Sequence, residues 1–394
     1  CGDDLVVIGD GDPAIGDSRL CEQANEPIEA VFARWADALQ AHGLQSISGN
    51  LIIDDSIFES TLTHPTWDVD DLQKWYAAPV GGLNFNDNVI QVTVWPAEKA
   101  GTPVEWEVTP KCPLIRIDNR AKSGGENKCV IARPAADFRY VLSGTCASRG
   151  TLAEVTVPDP ALFFAEVMRT ALSGKGIRIR GDIVRRKLRQ PDGSPPAGCE
   201  LIATQATPLA AVLSRIGKNS QNLFAECLLK RLGYAYQAAH GDSAPLGSWE
   251  SGRAAIDAFL LKIAVGEREQ ASKVTIADAS GLSRDNRTSA SDLTRVLAYM
   301  YRSPNRQLFV DSLADPGGDG SLEKRMKDIN GRVHAKTGYI HGVRTLSGYV
   351  VTPEGDWLAF SVLFNGFKGS SKPFTDIQDE FCRVLANYHR EDAQ

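Results

Sequence analysis

No run among the 394 residues reaches the roughly eighteen consecutive apolar positions that a membrane-spanning helix needs. The densest apolar stretch, Trp357 to Phe364, has the length of a strand, so at most a peripheral membrane contact is expected. Positive charge is also short: 43 Lys and Arg stand against 49 Asp and Glu, for a net charge of −6, which argues against a general nucleic-acid binder. The six histidines form no His-Glu-x-x-His, the cysteines form no Cys-x-x-Cys, and no serine lies in Gly-x-Ser-x-Gly. Zinc-protease and Ser-His-Asp chemistry therefore have no foothold, and no cofactor or metal is expected. Asp10 and Asp12 lack a glutamate at the spacing a calcium loop requires and read as turn residues.

What the chain has is length for more than one core, and a composition of 43% hydrophobic and 23% charged residues that describes a folded globular protein. Eight widely spaced cysteines suit disulfides in an oxidising compartment or scattered buried thiols in a cytosolic one. Cys129 and Cys146 flank two strands and a turn and form the best candidate pair. Cys227 and Cys382 are possible neighbours.

The patterning divides the chain into blocks. Residues 1–85 read as α/β: a strand at Leu5–Ile8, an amphipathic helix over 27–40 with Ile28, Val31, Phe32, Trp35 and Leu39 on one face, and a strand over 47–54. Residues 86–155 alternate at period two between turns and form a small β domain. Residues 156–205 return to α/β, with a helix over 161–176 and a strand over 177–186. Six basic residues in Arg178–Arg189 read as a solvated strand face, with contact to an anionic polymer as the alternative. From Thr207-Pro208 a helix runs to about Gly217 and a second begins after Asn222, so Ser220-x-Asn222 sits on a tight junction between helices. The other two Ser-x-Asn triplets, at Ser48 and Ser303, have no such setting. Gly331–Val350 then carries Lys336-Thr337-Gly338 on an edge strand. A hairpin turning at Pro353–Asp356 follows, whose strand Trp357–Phe364 is expected to be central and covered. The last helix should lay Phe374, Ile377, Phe381, Val384, Leu385 and Tyr388 on the sheet.

A hydroxyl and an amide two residues apart on a constrained loop can both face a cleft, and an ammonium and hydroxyl on a strand edge can hold a substrate carboxylate. Together with SQNLFAE, DASGLSRDNRTSASDL, DGSLEKRM, AKTG, LSGYV and LAFSVLFNGF, and with GDDLVVIGDGDPAI, ISGNLIIDDSIF and WDVDDLQKWYAAPVGGLNFNDN upstream, these motifs resemble the D-alanyl-D-alanine carboxypeptidases of the class C penicillin-binding proteins.

The resemblance implies an α/β (α+β) fold, a β-lactamase-like penicillin-binding domain carrying two inserted domains. The α/β insertion would comprise 1–85 with 156–205, the mostly β insertion 86–155, and the penicillin-binding domain 206–394. It implies a serine peptidase acting through an acyl-serine on peptidoglycan stem peptides, extending to D-stereochemistry cross-links, inhibited by β-lactams and located outside the cytoplasm. Ser220 would assist proton transfer, Asn222 would orient the substrate amide, Lys336 would add electrostatic pull and Thr337 would hold the terminal carboxylate beside Gly338. Asp71 and Tyr76 would meet the diamino-acid side chain. Tyr339 stands where the family has a small hydroxyl residue, and its backbone N–H could join an oxyanion hole.

One part of the pattern is missing. The Ser-x-x-Lys that supplies the nucleophile and its base occurs only at Ser321–Lys324, where the following residues are charged rather than a buried helix, so this match is not expected to be catalytic. The expectation is that the nucleophile-bearing segment precedes Cys1. Two readings follow: a peptidase, or a protein of the same fold that holds cell-wall peptides without cleaving them. A β-lactamase or esterase fits the insertions poorly. His334 and His341, flanking the Lys-Thr-Gly triplet, are expected to be strand and turn residues.

Overall fold

In the computed structural model, which describes residues 2–190, 192–263 and 274–389, the first apolar runs fold as parallel neighbours. The strand Leu51–Asp54 is buried along its whole length and lies between Leu5–Ile8 and Ile183–Arg185, in register Leu5↔Leu51 and Ile183↔Leu51. Burial on both sides explains its uninterrupted Leu-Ile-Ile. The helix Ala30–Ala41 buries Val31, Phe32, Ala36 and Leu39, and the helix Pro160–Gly174 buries Phe163, Phe164, Val167 and Met168. Asp159 caps the second helix by accepting from the Leu162 N–H, and Pro160 occupies its first turn, where a missing N–H costs nothing. Phe32 meets Phe164 edge to face at 5.2 Å and Phe85 at 4.9 Å.

Two of the expected strands are broken. The run over 47–54 divides into Ser46–Ile47 and Leu51–Asp54, and the run over 177–186 into Arg178–Ile179 and Ile183–Arg185. The two breaks lie side by side. The Gly181 N–H donates to Gly49 O at 2.8 Å and the Leu51 N–H to Asp182 O at 3.0 Å, while Asp4 Oδ1 accepts from the Asn50 N–H at 2.6 Å.

Residues 86–155 form the expected short strands. Val89–Trp95 pairs with Glu105–Thr109, Gly150–Thr151 and Val155–Thr156, and a second sheet runs in the order Arg116–Asn119, Arg139–Ser143, Val130–Ala132. Val92, Val94, Tyr140 and Leu142 of this region belong to the same apolar core as Phe32, Leu51 and Phe163. The chain accordingly divides into two compact units, Cys1–Thr207 with Glu226–Gly252, and Pro208–Ala225 with Arg253–Gln394. The sequence boundaries kept 206–394 together, whereas here residues 226–252 go with the first unit. Cys21, Cys112, Cys129, Cys146, Cys227 and Cys382 are free thiols, and Cys199 is disulfide-bonded. Cys129 and Cys146 do meet, as a thiol hydrogen bond rather than a disulfide. Cys227 belongs to the first unit and Cys382 to the second.

In the second unit Val333–Ile340, Val343–Val351 and Trp357–Asn365 form an antiparallel sheet in that order, with the expected turn closed by the Thr352 N–H to Asp356 O. Val343–Val351 is the central strand. Trp357–Asn365 lies at the edge among the described residues and buries only Phe360, which corrects the expectation of a covered central strand. The helix Lys372–Ala386 lays part of the expected stripe inward, with Phe374 meeting Phe364 at 5.1 Å and Leu385 packing on the core, but it is rotated from the expected face. It buries Gln378, Cys382 and Ala386, leaving Ile377, Phe381 and Val384 exposed. Small side chains allow close packing on Val333, Leu346 and Val350, and Arg325 fixes the rotation by binding Asp379 at 2.6 Å and Gln378 at 3.2 Å.

Candidate active site

The helix Leu209–Gly217 ends on Lys218, and the chain must reverse before Asn222 opens the next helix, Asn222–Ala239. The reversal places Ser220 at φ +58°, a left-handed conformation that a serine rarely adopts and that marks functional turns. The Gln221 N–H donates back to Arg215 O at 3.1 Å and holds the turn closed. Thr207 does not cap the first helix as expected. Pro208 stands at the cap position, and the Thr207 hydroxyl goes to Asp12 Oδ2.

Lys336 lies on the edge strand of the sheet, opposite Ser347. Its Nζ donates to Ser220 Oγ at 2.7 Å and to Thr337 O at 2.7 Å. It has no ion pair among the described residues, and burial pushes its ammonium down to about pKa 8. At neutral pH the group is charged yet close to releasing its proton, which suits a site that both attracts an anion and passes a proton to a neighbouring hydroxyl. Gly338 sits opposite Thr345, where a Cβ would press on Thr345 Oγ1, so a larger residue fits only if that hydroxyl turns aside.

The sequence-predicted residues are thus partly assembled. Ser220 and Lys336 are in contact, Thr337 and Gly338 follow on the strand, and Asn222 stands two residues from Ser220 at the start of its helix. Tyr339 is exposed, with Arg344 5.7 Å from its ring centroid. Asp71 and Tyr76 belong to the other unit, where the Tyr76 hydroxyl donates to Asp71 Oδ1 at 2.7 Å. Burial and that bond push the Tyr76 phenol up to about 12, which keeps it protonated. His334 stacks on Trp357 at 5.4 Å, as a strand residue. Asp10 pairs with Arg189 and Arg231, and no His/Cys/Asp/Glu cluster able to hold a metal occurs among the described residues.

Sequence reasoning underrated one residue. Ser321 lies in the exposed turn expected for it and Lys324 is exposed, but its Oγ accepts a hydrogen bond from Thr337 Oγ1 at 2.8 Å. The signal was present in the glycines at 317, 318 and 320, which let a loop fold tightly beside the strand.

An edge strand carrying Lys-Thr-Gly, with its lysine on the serine of a Ser-x-Asn turn, defines one wall of a penicillin-binding or β-lactamase-type serine acyl-transferase site. Comparison with known proteins narrows the class. The model of the D-Ala-D-Ala carboxypeptidase 3 (S13) family matches residues 1–388, and the chain belongs to that family. It is 30% identical to the D-alanyl-D-alanine carboxypeptidase of Actinomadura sp. (strain R39), over 98% of this chain and 69% of that protein. It is 24% identical to the D-alanyl-D-alanine carboxypeptidase DacB of Haemophilus influenzae, over 92% of this chain and 72% of that protein. The crystal structure of penicillin binding protein 4 (dacB) from Haemophilus influenzae superposes with a TM-score of 0.76 at 22% identity, over 98% of this chain and 82% of that one. The same protein complexed with a β-lactam superposes with a TM-score of 0.71 at 21% identity, over 98% of this chain and 82% of that one. The fold is therefore the penicillin-binding one with inserted domains.

Proposed function

We propose that these residues form the peptide-holding part of a serine-type D-Ala-D-Ala carboxypeptidase, acting on peptidoglycan stem peptides outside the cytoplasm and binding β-lactams as substrate mimics. The observation that carries this reading is the 2.7 Å bond from Lys336 Nζ to Ser220 Oγ, in a chain whose relatives bear that activity in their names. In the proposed roles, Lys336 attracts the terminal carboxylate and polarises the Ser220 hydroxyl, which passes a proton to the departing D-alanine amine. Thr337 helps hold the carboxylate and Gly338 lets the peptide backbone lie along the strand. Asn222 orients the scissile amide, and the backbone N–H of Tyr339 serves the oxyanion. Asp71 and Tyr76 read the diamino-acid side chain. Cleavage of cross-links joining two stem peptides is the same reaction with a larger leaving group.

The location carries a further expectation. In an oxidising compartment the adjacent Cys129 and Cys146 become a disulfide, stabilising the β region by about 3 kcal/mol.

A second reading rests on one observation. The acyl-enzyme needs Ser-x-x-Lys, and the match at Ser321–Lys324 lies in an exposed turn. On this second reading the described residues hold the peptide without cleaving it. The test is saturable binding of a stem pentapeptide ending in D-Ala-D-Ala, with mass spectrometry of the peptide and labelled penicillin on the protein. Binding without alanine release and without stoichiometric penicillin adduct is expected of these residues alone. A covalent adduct assigns turnover to them directly, and failure to bind the peptide overturns the reading.

A further inference from the structure

The Ser321 hydroxyl is tied to the site from two sides. Its backbone N–H donates to Lys218 O at 2.9 Å, two residues before Ser220, and its Oγ accepts from Thr337 Oγ1 at 2.8 Å. The approach to Lys218 is set by Gly320, which adopts φ +117° and whose Cβ would collide with Lys218 O. Behind the serine, Leu322 is fully buried and anchors the loop in the core of the second unit. The loop 315–321 is therefore built to bring one exposed hydroxyl against both the serine turn and the strand edge.

The direction of the hydroxyl pair matters. A threonine hydroxyl has one proton to give. Thr337 gives its proton to Ser321 and is itself only 8% exposed, whereas Ser321 is exposed. The proton left to point outward belongs to Ser321. Lys336 Nζ, bonded to Ser220 Oγ and Thr337 O, supplies positive charge on the same strand.

We infer that Ser321, polarised by Thr337, is a substrate-binding residue that donates the hydrogen bond holding the terminal carboxylate of a D-alanyl-D-alanine peptide. Thr337 acts through it as a positioning residue. The Ser-x-x-Lys match at this position is thus a ligand-binding hydroxyl and not a nucleophile. The inference rests on the peptide-holding reading above and refines which hydroxyl meets the carboxylate.

The test measures affinity for a peptide ending in D-Ala-D-Ala with a free carboxylate and for the same peptide with a C-terminal amide. It uses the 394-residue chain and its variants Ser321→Ala and Ser321→Thr. Ser321→Ala is expected to weaken the carboxylate peptide about tenfold, the loss for one hydrogen bond to a charged group. It should leave the amide peptide within twofold, and it should lower the melting temperature slightly, because the buried Thr337 hydroxyl loses its acceptor. Ser321→Thr keeps the hydroxyl and should restore the preference. A Ser321→Ala chain that binds the carboxylate peptide like the wild type overturns the assignment and leaves the peptide-holding reading standing. A wild-type chain that binds neither peptide overturns that reading and the assignment with it.

Discussion

Two lysines, one in each unit, have their ammonium groups taken out of water, and their surroundings differ. Lys230 is fully enclosed. It lies 3.5 Å from the Trp249 ring centroid, donates to Thr61 O at 2.9 Å and pairs with Glu59 at 3.3 Å. Burial pulls its pKa down, and the Glu59 carboxylate pulls it back up. Lys336 is half-buried at the strand edge, and among the described residues its ammonium is bonded to a hydroxyl and a carbonyl and to no carboxylate. Burial alone sets its pKa near 8. An enclosed cation with a counter-ion and an aromatic face is a structural fixture. A cation left without a counter-ion at a strand edge is held at a cost to stability and is available to an incoming anion.

The comparison breaks most visibly at Lys230. Lys230→Ala leaves Glu59 without its partner and a void under Trp249, and should cost about 3–5 kcal/mol in urea unfolding while affinity for a D-Ala-D-Ala peptide stays within twofold. A loss below about 1 kcal/mol would show that the pair is not structural. Lys336→Met should do the reverse. Affinity for the carboxylate peptide falls roughly ten- to a hundredfold with the lost charged hydrogen bond, while stability stays level or rises by about 1 kcal/mol. A drop in stability matching that at Lys230 would erase the distinction between the two sites. A smaller effect sharpens the description of the strand. Gly338→Ala forces Thr345 Oγ1 aside and should cost about 1–3 kcal/mol. Thr345→Ala in the same chain should recover most of that loss, as read by thermal unfolding.

Much of this was legible in the residues, for local reasons. Pro353–Asp356 supplies the turn chemistry of the hairpin, Val333 and Ala335 alternate with polar neighbours, and the order of Ser-x-Asn and Lys-Thr-Gly brought Ser220 to Lys336. What was not legible depended on distant partners. The breaks near Gly49 and Gly181 answer to each other and to Asp4 across long sequence separations. The rotation of the helix Lys372–Ala386 was set by Arg325 and by small residues, so Phe374 and Leu385 of the apolar stripe pack inward while Ile377, Phe381 and Val384 do not. Cys129 and Cys146 were correctly paired in space, but proximity does not fix their oxidation state. Ser321 was judged by the residues that follow it, although its role depends on Thr337, sixteen positions later in the chain.

The central claim is that an unpaired lysine at the strand edge meets the anionic end of the ligand. The most direct measurement is the pH dependence of affinity for a D-Ala-D-Ala peptide. In a peptide whose amino groups are acetylated, only the carboxylate titrates and it stays ionised above about pH 5, so any change at higher pH reports on the protein. With a folded pKa near 8, Lys336 carries its charge below that pH and loses it above. Affinity is expected to hold level from pH 6 to about 7.5 and to fall as the pH rises through 8, with no such step in Lys336→Met. A wild-type affinity that stays flat to pH 10, or a step that survives in Lys336→Met, would contradict the account.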